Sequence, residues 1–164
     1  MYKMKIVIIS DTHDNKNKLI EFISFANENI KADMLIHCGD FSAPFMLTEL
    51  AKFNGDVHCV FGNTNDKFAS TQVATKEGIN LHGDLANLEI DSKKIGVIHN
   101  NILGNLLAKS GEFDIVFYGH NHIQKKEKVE KTLLVNPGSM TSYNNIATYA
   151  IYDTDTNEVE LKKF

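Results

Sequence analysis

Asp11-Thr12-His13, Asp40, Asn63, His99 and His120-Asn121-His122 are the residues of this 164-residue chain whose types and spacing point to chemistry. Together they offer carboxylates, imidazoles and one amide oxygen, a mixed nitrogen and oxygen donor set. Seven such donors, Asp11, His13, Asp40, Asn63, His99, His120 and His122, exceed what one closed tetrahedral zinc site needs. They suit two divalent cations that share one carboxylate. By formal counting, two cations, two aspartates and a bridging hydroxide leave a net charge of about +1, which matches a phosphodiester monoanion. Taken singly, Asp11, Asp40 or Asn63 reads as a turn or helix-cap residue, because these types favour local hydrogen bonds. Only the combination reverses that reading.

Each donor follows an apolar run: Asp11 and His13 after Ile6–Ile9, Asp40 after Leu35-Ile36, Asn63 after Val60-Phe61, His99 after Val97-Ile98, and His120 with His122 after Val116–Tyr118. Strands that end this way place their polar residues along a common edge, outside the carboxyl ends of an α/β sheet. Residues two apart in extended backbone point to one side, so each of the pairs Asp11/His13 and His120/His122 is expected to aim at one metal. Gly39, Gly62 and Gly119 precede Asp40, Asn63 and His120, where a missing Cβ permits tight turns and close approach.

The elements behind these loops begin with a strand over Lys5–Ile9 and a helix over Asp14–Glu28 carrying Leu19, Phe22, Ile23 and Ala26 on one face. A strand over Met34–Cys38 follows, then a helix capped by Ser42 with Pro44 in its first turn. Val57–Phe61 is a third strand, and Phe68–Glu77 a helix ended by Gly78. The second half reads as antiparallel or mixed strands over Ile79–His82, Leu85–Ile90 and Ile95–Ile98. A helix over Ile102–Lys109, a strand over Ile115–Tyr118, and hairpins over Gln124–Val135 and Ala147–Leu161 complete the chain. The pattern predicts one α/β domain over residues 1–164.

A content of 43% hydrophobic and 23% charged residues is that of a globular protein. A net charge of −4 excludes a chain-wide basic field, so no stable nucleic-acid complex is expected. No apolar run is long enough for a membrane span, and Met1–Lys5 leads straight into a strand, which predicts a cytoplasmic protein without membrane contact. Cys38 and Cys59 lie in apolar runs and read as buried free thiols. His37, His58 and His82 read as strand or turn residues without a metal role, and Gly138-Ser139 as a turn beside the site.

At the donor residues the sequence resembles the calcineurin-like metallophosphoesterase superfamily, whose pattern is Asp-x-His, Gly-Asp, Gly-Asn-His-Asp or Glu, a lone His, and Gly-His-x-His. Here these read Asp11-Thr12-His13, Gly39-Asp40, Gly62-Asn63, His99 and Gly119-His120-Asn121-His122, in order, with Asn136-Pro137-Gly138-Ser139 matching the closing motif of the small phosphodiesterase branch. The resemblance implies a four-layer α/β/β/α sandwich with two mixed β-sheets. It implies Asp11, His13, Asp40 and His122 on one metal and Asp40, Asn63, His99 and His120 on the other, with Asp40 as the bridge. Manganese, nickel, iron or zinc would fit these donors. By the same resemblance a bridging hydroxide attacks a small phosphodiester in line, with Asp11, Asp40, Asn63 and His99 acting through the metal-bound hydroxide and phosphate.

The sequence departs from that pattern twice. Asn63 is followed by Thr64, Asn65 and Asp66, so the imidazole that can protonate a leaving group is absent. Asn100-Asn101 follows His99 where small relatives often have Gly and a second His. Thr64, Asn65 and Asn100 are candidate substrate contacts. Two other functions compete: a phosphomonoesterase or nuclease, and a non-enzymatic scaffold of the kind that the retromer complex builds on this fold. A homo-oligomer is compatible with either.

Overall fold

Apolar runs become strands and amphipathic stretches become helices in the computed structural model of the chain, which describes residues 3–141 and 146–164. In β1 (Lys5–Ile9) the four residues Ile6 to Ile9 are fully buried, as expected of a central strand covered on both faces. Cutting one of these isoleucines to Ala would cost about 2–5 kcal/mol. Asn15 caps α1 (Lys16–Phe25) by accepting from the Lys18 N–H, and Leu19, Phe22 and Ile23 form its buried face. The helix begins later than the sequence suggests. It then widens into a π-helical stretch, Ala26–Ile30, that stops at Lys31 with φ 52°.

β2 (Met34–His37) leads to α2 (Phe45–Leu50), which begins after Pro44 without a side-chain cap. Ser42, expected to cap it, points into the loop cluster described below. β3 (Asp56–Cys59) is followed by α3 (Lys67–Glu77), capped by Asp66 and closed by Gly78 at φ 73°. β4 (Asn80–Leu81), β5 (Leu85–Ile90) and β6 (Lys93–Ile98) then precede α4 (Asn101–Ser110), which Asn100 caps. β7 (Ile115–Phe117), β8 (Lys125–Val129), β9 (Thr132–Asn136), β10 (Thr148–Asp153) and β11 (Glu158–Lys163) complete the chain.

The strands form two mixed sheets, ordered β11-β10-β1-β2-β3-β4 and β5-β6-β7-β9-β8. β1, β2, β3 and β4 run parallel in the first. β6, β7 and β9 run parallel in the second. Three packed clusters define the layers. Val7 and Ile9 face α1, α2 and α3. Ile6 and Ile8 meet Val97 and Phe117 between the sheets. Ile98, Val116 and Tyr118 pack under α4 through Ala108. This is the expected α/β/β/α sandwich in a single domain. Alternation along a strand accounts for it, since adjacent residues of β1 enter different clusters.

The parallel strands matter for the site because they end together. Ile9, His37 and Cys59 are aligned partners at the carboxyl ends of β1, β2 and β3. The second sheet is tied to that edge, where Gly119 N–H donates to His99 O and His99 Nδ1–H to Cys38 O.

Candidate metal centre

Two groups of ligand atoms gather at this shared edge, Asp11 with His13 and His122, and Asp11 with Asp40 and His99. In the first, His13 Nε2 and His122 Nε2 are 3.3 Å apart, and His122 Nε2 lies 3.2 Å from Asp11 Oδ1. In the second, His99 Nε2 is 3.3 Å from Asp40 Oδ2 and 3.1 Å from Asn63 Oδ1. His120 Nδ1 joins it, 3.0 Å from Asn63 Oδ1 and 3.3 Å from His99 Nε2. All seven predicted donors therefore meet at one edge.

Asp11 and His13 do share one ligand group, as the two-residue spacing suggested, but the other pair does not. His122 turns to Asp11 and His13, whereas His120 turns to Asn63 and His99. Neither pair is extended: Asp11, His13, His120 and His122 have φ of 53°, 44°, 77° and 59°. Asp40 and Ser42 share this left-handed conformation, at 57° and 64°. Such residues cost of order 1–3 kcal/mol each, and the surrounding structure must hold them.

Whether the residues suit a metal is decided by their uncommitted lone pairs. Asp11 Oδ2 accepts from Ser10 Oγ and His120 N–H, but Asp11 Oδ1, fully buried, has no hydrogen bond. His122 Nε2 lies within ion-pair range of that oxygen but off hydrogen-bond geometry. A buried carboxylate oxygen left this way costs free energy that a bound cation would recover. With Nδ1–H given to Cys38 O, neutral His99 presents a lone pair at Nε2 towards Asn63 Oδ1 and Asp40 Oδ2. Three acceptors facing one another repel unless a cation sits among them. Fixing an imidazole through its far nitrogen is also how metal-binding histidines are oriented.

The glycines are needed for close approach. A Cβ at Gly62 would overlap Asp40 Oδ1, one at Gly119 would overlap Ser10 Oγ and reach within 2.7 Å of Asp11 Oδ2, and one at Gly39 would come within 2.8 Å of His99 Nδ1. Burial would raise the Asp40 pKa, but when no cation is present a doubly protonated His99 and the Thr64 N–H donate to it, outweigh burial and hold the group well below the usual carboxylate range. Burial would lower the His99 pKa, yet the Asp40 hydrogen bond and the charges of Asp11 and Asp40 leave it raised. The raised His99 pKa reports the negative charge of Asp11 and Asp40 beside it.

The candidate substrate contacts serve the loops. Thr64 N–H donates to Asp40 Oδ1 and its hydroxyl bonds Ser42 Oγ. Asn65 Oδ1 accepts from the Gly62 N–H. Asn100 Oδ1 accepts from the N–H groups of Ile102 and Leu103, which commits that oxygen to the α4 cap.

Several supporting residues escaped the sequence reading. Fully buried His37 accepts the Gly39 N–H at Nδ1, so its Nε2–H donates to Thr12 Oγ1 at 3.0 Å. One imidazole thus ties the Asp11–His13 loop to the Gly39-Asp40 turn. Burial, helped by the neighbouring His99, pushes its pKa down to about 3. Its signal in the sequence was a histidine inside an otherwise apolar strand. Ser139 Oγ and Thr141 Oγ1 both donate to Asp11 O, and Asn136 Nδ2 donates to Gly119 O and Asn121 Oδ1. The segment after β9 therefore clamps two ligand loops.

The family model described as the calcineurin-like phosphoesterase superfamily domain matches residues 4–157. The chain belongs to that superfamily. Calcineurin-like phosphoesterases use divalent metal ions, in keeping with the two ligand groups here. This member is 35% identical over 163 residues to phosphodiesterase MJ0936 of Methanocaldococcus jannaschii, covering 94% of this chain and 96% of that protein. A solved archaeal phosphodiesterase superposes with a TM-score of 0.89 at 30% identity, over 98% of this chain and 100% of that one. Vps29 of Entamoeba histolytica shares the fold, with a TM-score of 0.66 at 17% identity over 98% of each chain. Among the described residues no helix is long and apolar enough to cross a membrane.

Proposed function

We propose that this calcineurin-like phosphoesterase is a dinuclear metal-dependent phosphodiesterase that hydrolyses a small diester. One observation carries the proposal: donors from five strand ends converge on one edge, which holds a buried, hydrogen-bond-free carboxylate oxygen, Asp11 Oδ1. Asp11, His13, Asp40 and His122 would hold one cation and Asp40, Asn63, His99 and His120 the other. When bound, such cations supply Lewis acidity, activating water at neutral pH and neutralising charge on phosphoryl oxygens. The protein's residues do the rest by position. The Thr64 N–H holds Asp40 in place, and Ser10 with the His120 N–H binds the second Asp11 oxygen.

A diester is preferred for two reasons. The formal charge of about +1 matches a monoanion better than a dianion. Nor does any imidazole stand after Asn63 to protonate the leaving group of a more demanding ester. The phosphodiesterase named above, similar along nearly its whole length, supports the same choice. The scaffold reading explains none of the convergence of seven donors.

The test is to equilibrate the protein with Mn²⁺, remove the excess, count bound ions and compare hydrolysis of bis-p-nitrophenyl phosphate with that of p-nitrophenyl phosphate. About two ions per chain and faster diester cleavage are expected. Fewer than about one ion, or a faster monoester, would sink the reading.

A further inference from the structure

Beside Asn63, His99 and His120 a cavity of about 280 Å³ opens on the candidate metal centre, and its other walls are unlike the centre itself. Phe61, Ile98 and Leu103 provide apolar surface, with Asn100 and Asp84 also lining it. Phe61 and Ile98 are each only 8% exposed and belong to packed clusters, so they form a fixed wall. Leu103 is 49% exposed on the first turn of α4, where the Asn100 cap fixes its backbone.

The charge around this cavity is selective. Among the described residues no lysine or arginine lines it. The nearby cation, Lys67, is paired with Asp84 at 2.6 Å and rests its ammonium 5.4 Å from the centre of the Phe61 ring. A second phosphate or a carboxylate placed here would meet the Asp84 carboxylate without a free countercharge. An uncharged ring would instead bury apolar surface against Phe61, Ile98 and Leu103. The volume falls near the lower end for ligand pockets, which suits one ring system better than an extended chain.

Resting on the phosphodiesterase reading, we propose that this cavity is a specificity subsite for an uncharged planar ring carried by an ester group on the reacting phosphorus, whether an aryl ring esterified directly or the base of a nucleoside esterified through its sugar. Asn63, His99 and His120 would face the phosphate while Leu103 covers the ring.

The experiment measures calorimetric binding of phenylphosphonate and methylphosphonate to protein equilibrated with Mn²⁺, in the native chain and in Leu103→Ala. Thymidine 5′-phosphate set against ribose 5-phosphate forms a second pair that separates the nucleoside source from a simple aryl group. The ring-bearing member of at least one pair should bind about tenfold more tightly, and Leu103→Ala should bring that ratio close to one. Equal affinities in both pairs, a ratio unchanged by Leu103→Ala, or no binding at all would overturn the subsite. A ring preference that Leu103→Ala abolishes, in a protein that cleaves no diester, would keep the subsite and reject the proposed activity.

Discussion

Three pairs of histidines in this protein stand at nearly the same separation, and only two belong to the candidate metal centre. Ring centroids are 5.3 Å apart in His13/His122, 5.1 Å in His99/His120 and 5.0 Å in His58/His82. The third pair has nearly parallel rings, at 12°, and satisfies itself through a 2.9 Å hydrogen bond from one ring nitrogen to the other. Among the described residues no group of three ligand atoms includes either ring. Burial first, and for His58 also its partner, lowers both pKa values, so the pair remains neutral at pH 7. Proximity of imidazoles is therefore not what distinguishes the site. A buried carboxylate behind the rings, short of hydrogen bonds, is what calls for a cation.

The sharpest way to break this contrast is to remove the charge behind one pair. Asp40→Asn keeps the shape but should lower kcat/KM on the order of 10³-fold and leave less than the full metal complement, read by steady-state rates and ion counting. Unchanged metal content would mean that the imidazoles suffice by themselves. A second prediction asks whether the site's imidazoles are all committed as ligands. If they are, none remains as a general acid, and rates across diaryl diesters should rise steeply as the leaving-group pKa falls, by about 10²–10⁴ over the series. A flat dependence would show that one ring still donates a proton.

His37 tests the shell behind the ligands. His37→Gln should weaken metal affinity by about 10–100-fold in a chelator competition, because it unties Thr12 from Gly39. Its titration also has a definite sign. The folded pKa is about 3 against 6.5 unfolded, so below pH 6.5 the unfolded chain takes up a proton that the folded chain refuses. The stability that His37 contributes is full above pH 6.5 and declines by up to about 1.4 kcal/mol per pH unit as the pH falls towards 3. Urea unfolding of apo protein should show His37→Gln losing less stability than the native chain between pH 7 and 4.5. Parallel losses would count against it. The smallest effect belongs to the unbacked pair: replacing His58 and His82 by Ala should change stability by about 1 kcal/mol and leave metal content unaltered.

Much of this arrangement was legible in the sequence because it follows from strand ends. The buried runs Ile6–Ile9 and Val116–Phe117 gave strands, and each polar residue just beyond them lies at the common edge. What escaped was conformation inside the loops. Spacing does not encode the left-handed φ values of Asp11, His13, His120 and His122, so it could not tell that the first pair converges and the second diverges. Ser42 resembled a helix cap, yet it bonds His13 and Thr64 because the turn at Asp40 carries it away from α2. His37 was passed over because its partners, Thr12 and Gly39, become neighbours only when β1 and β2 pair.

Ser139 and Thr141 grip the Asp11 carbonyl across separations of 128 and 130 residues. The hydroxyls that hold the Asp11 loop are made 128 and 130 residues after Asp11 itself, so this loop gains its grip only once the segment after β9 has folded back against β1.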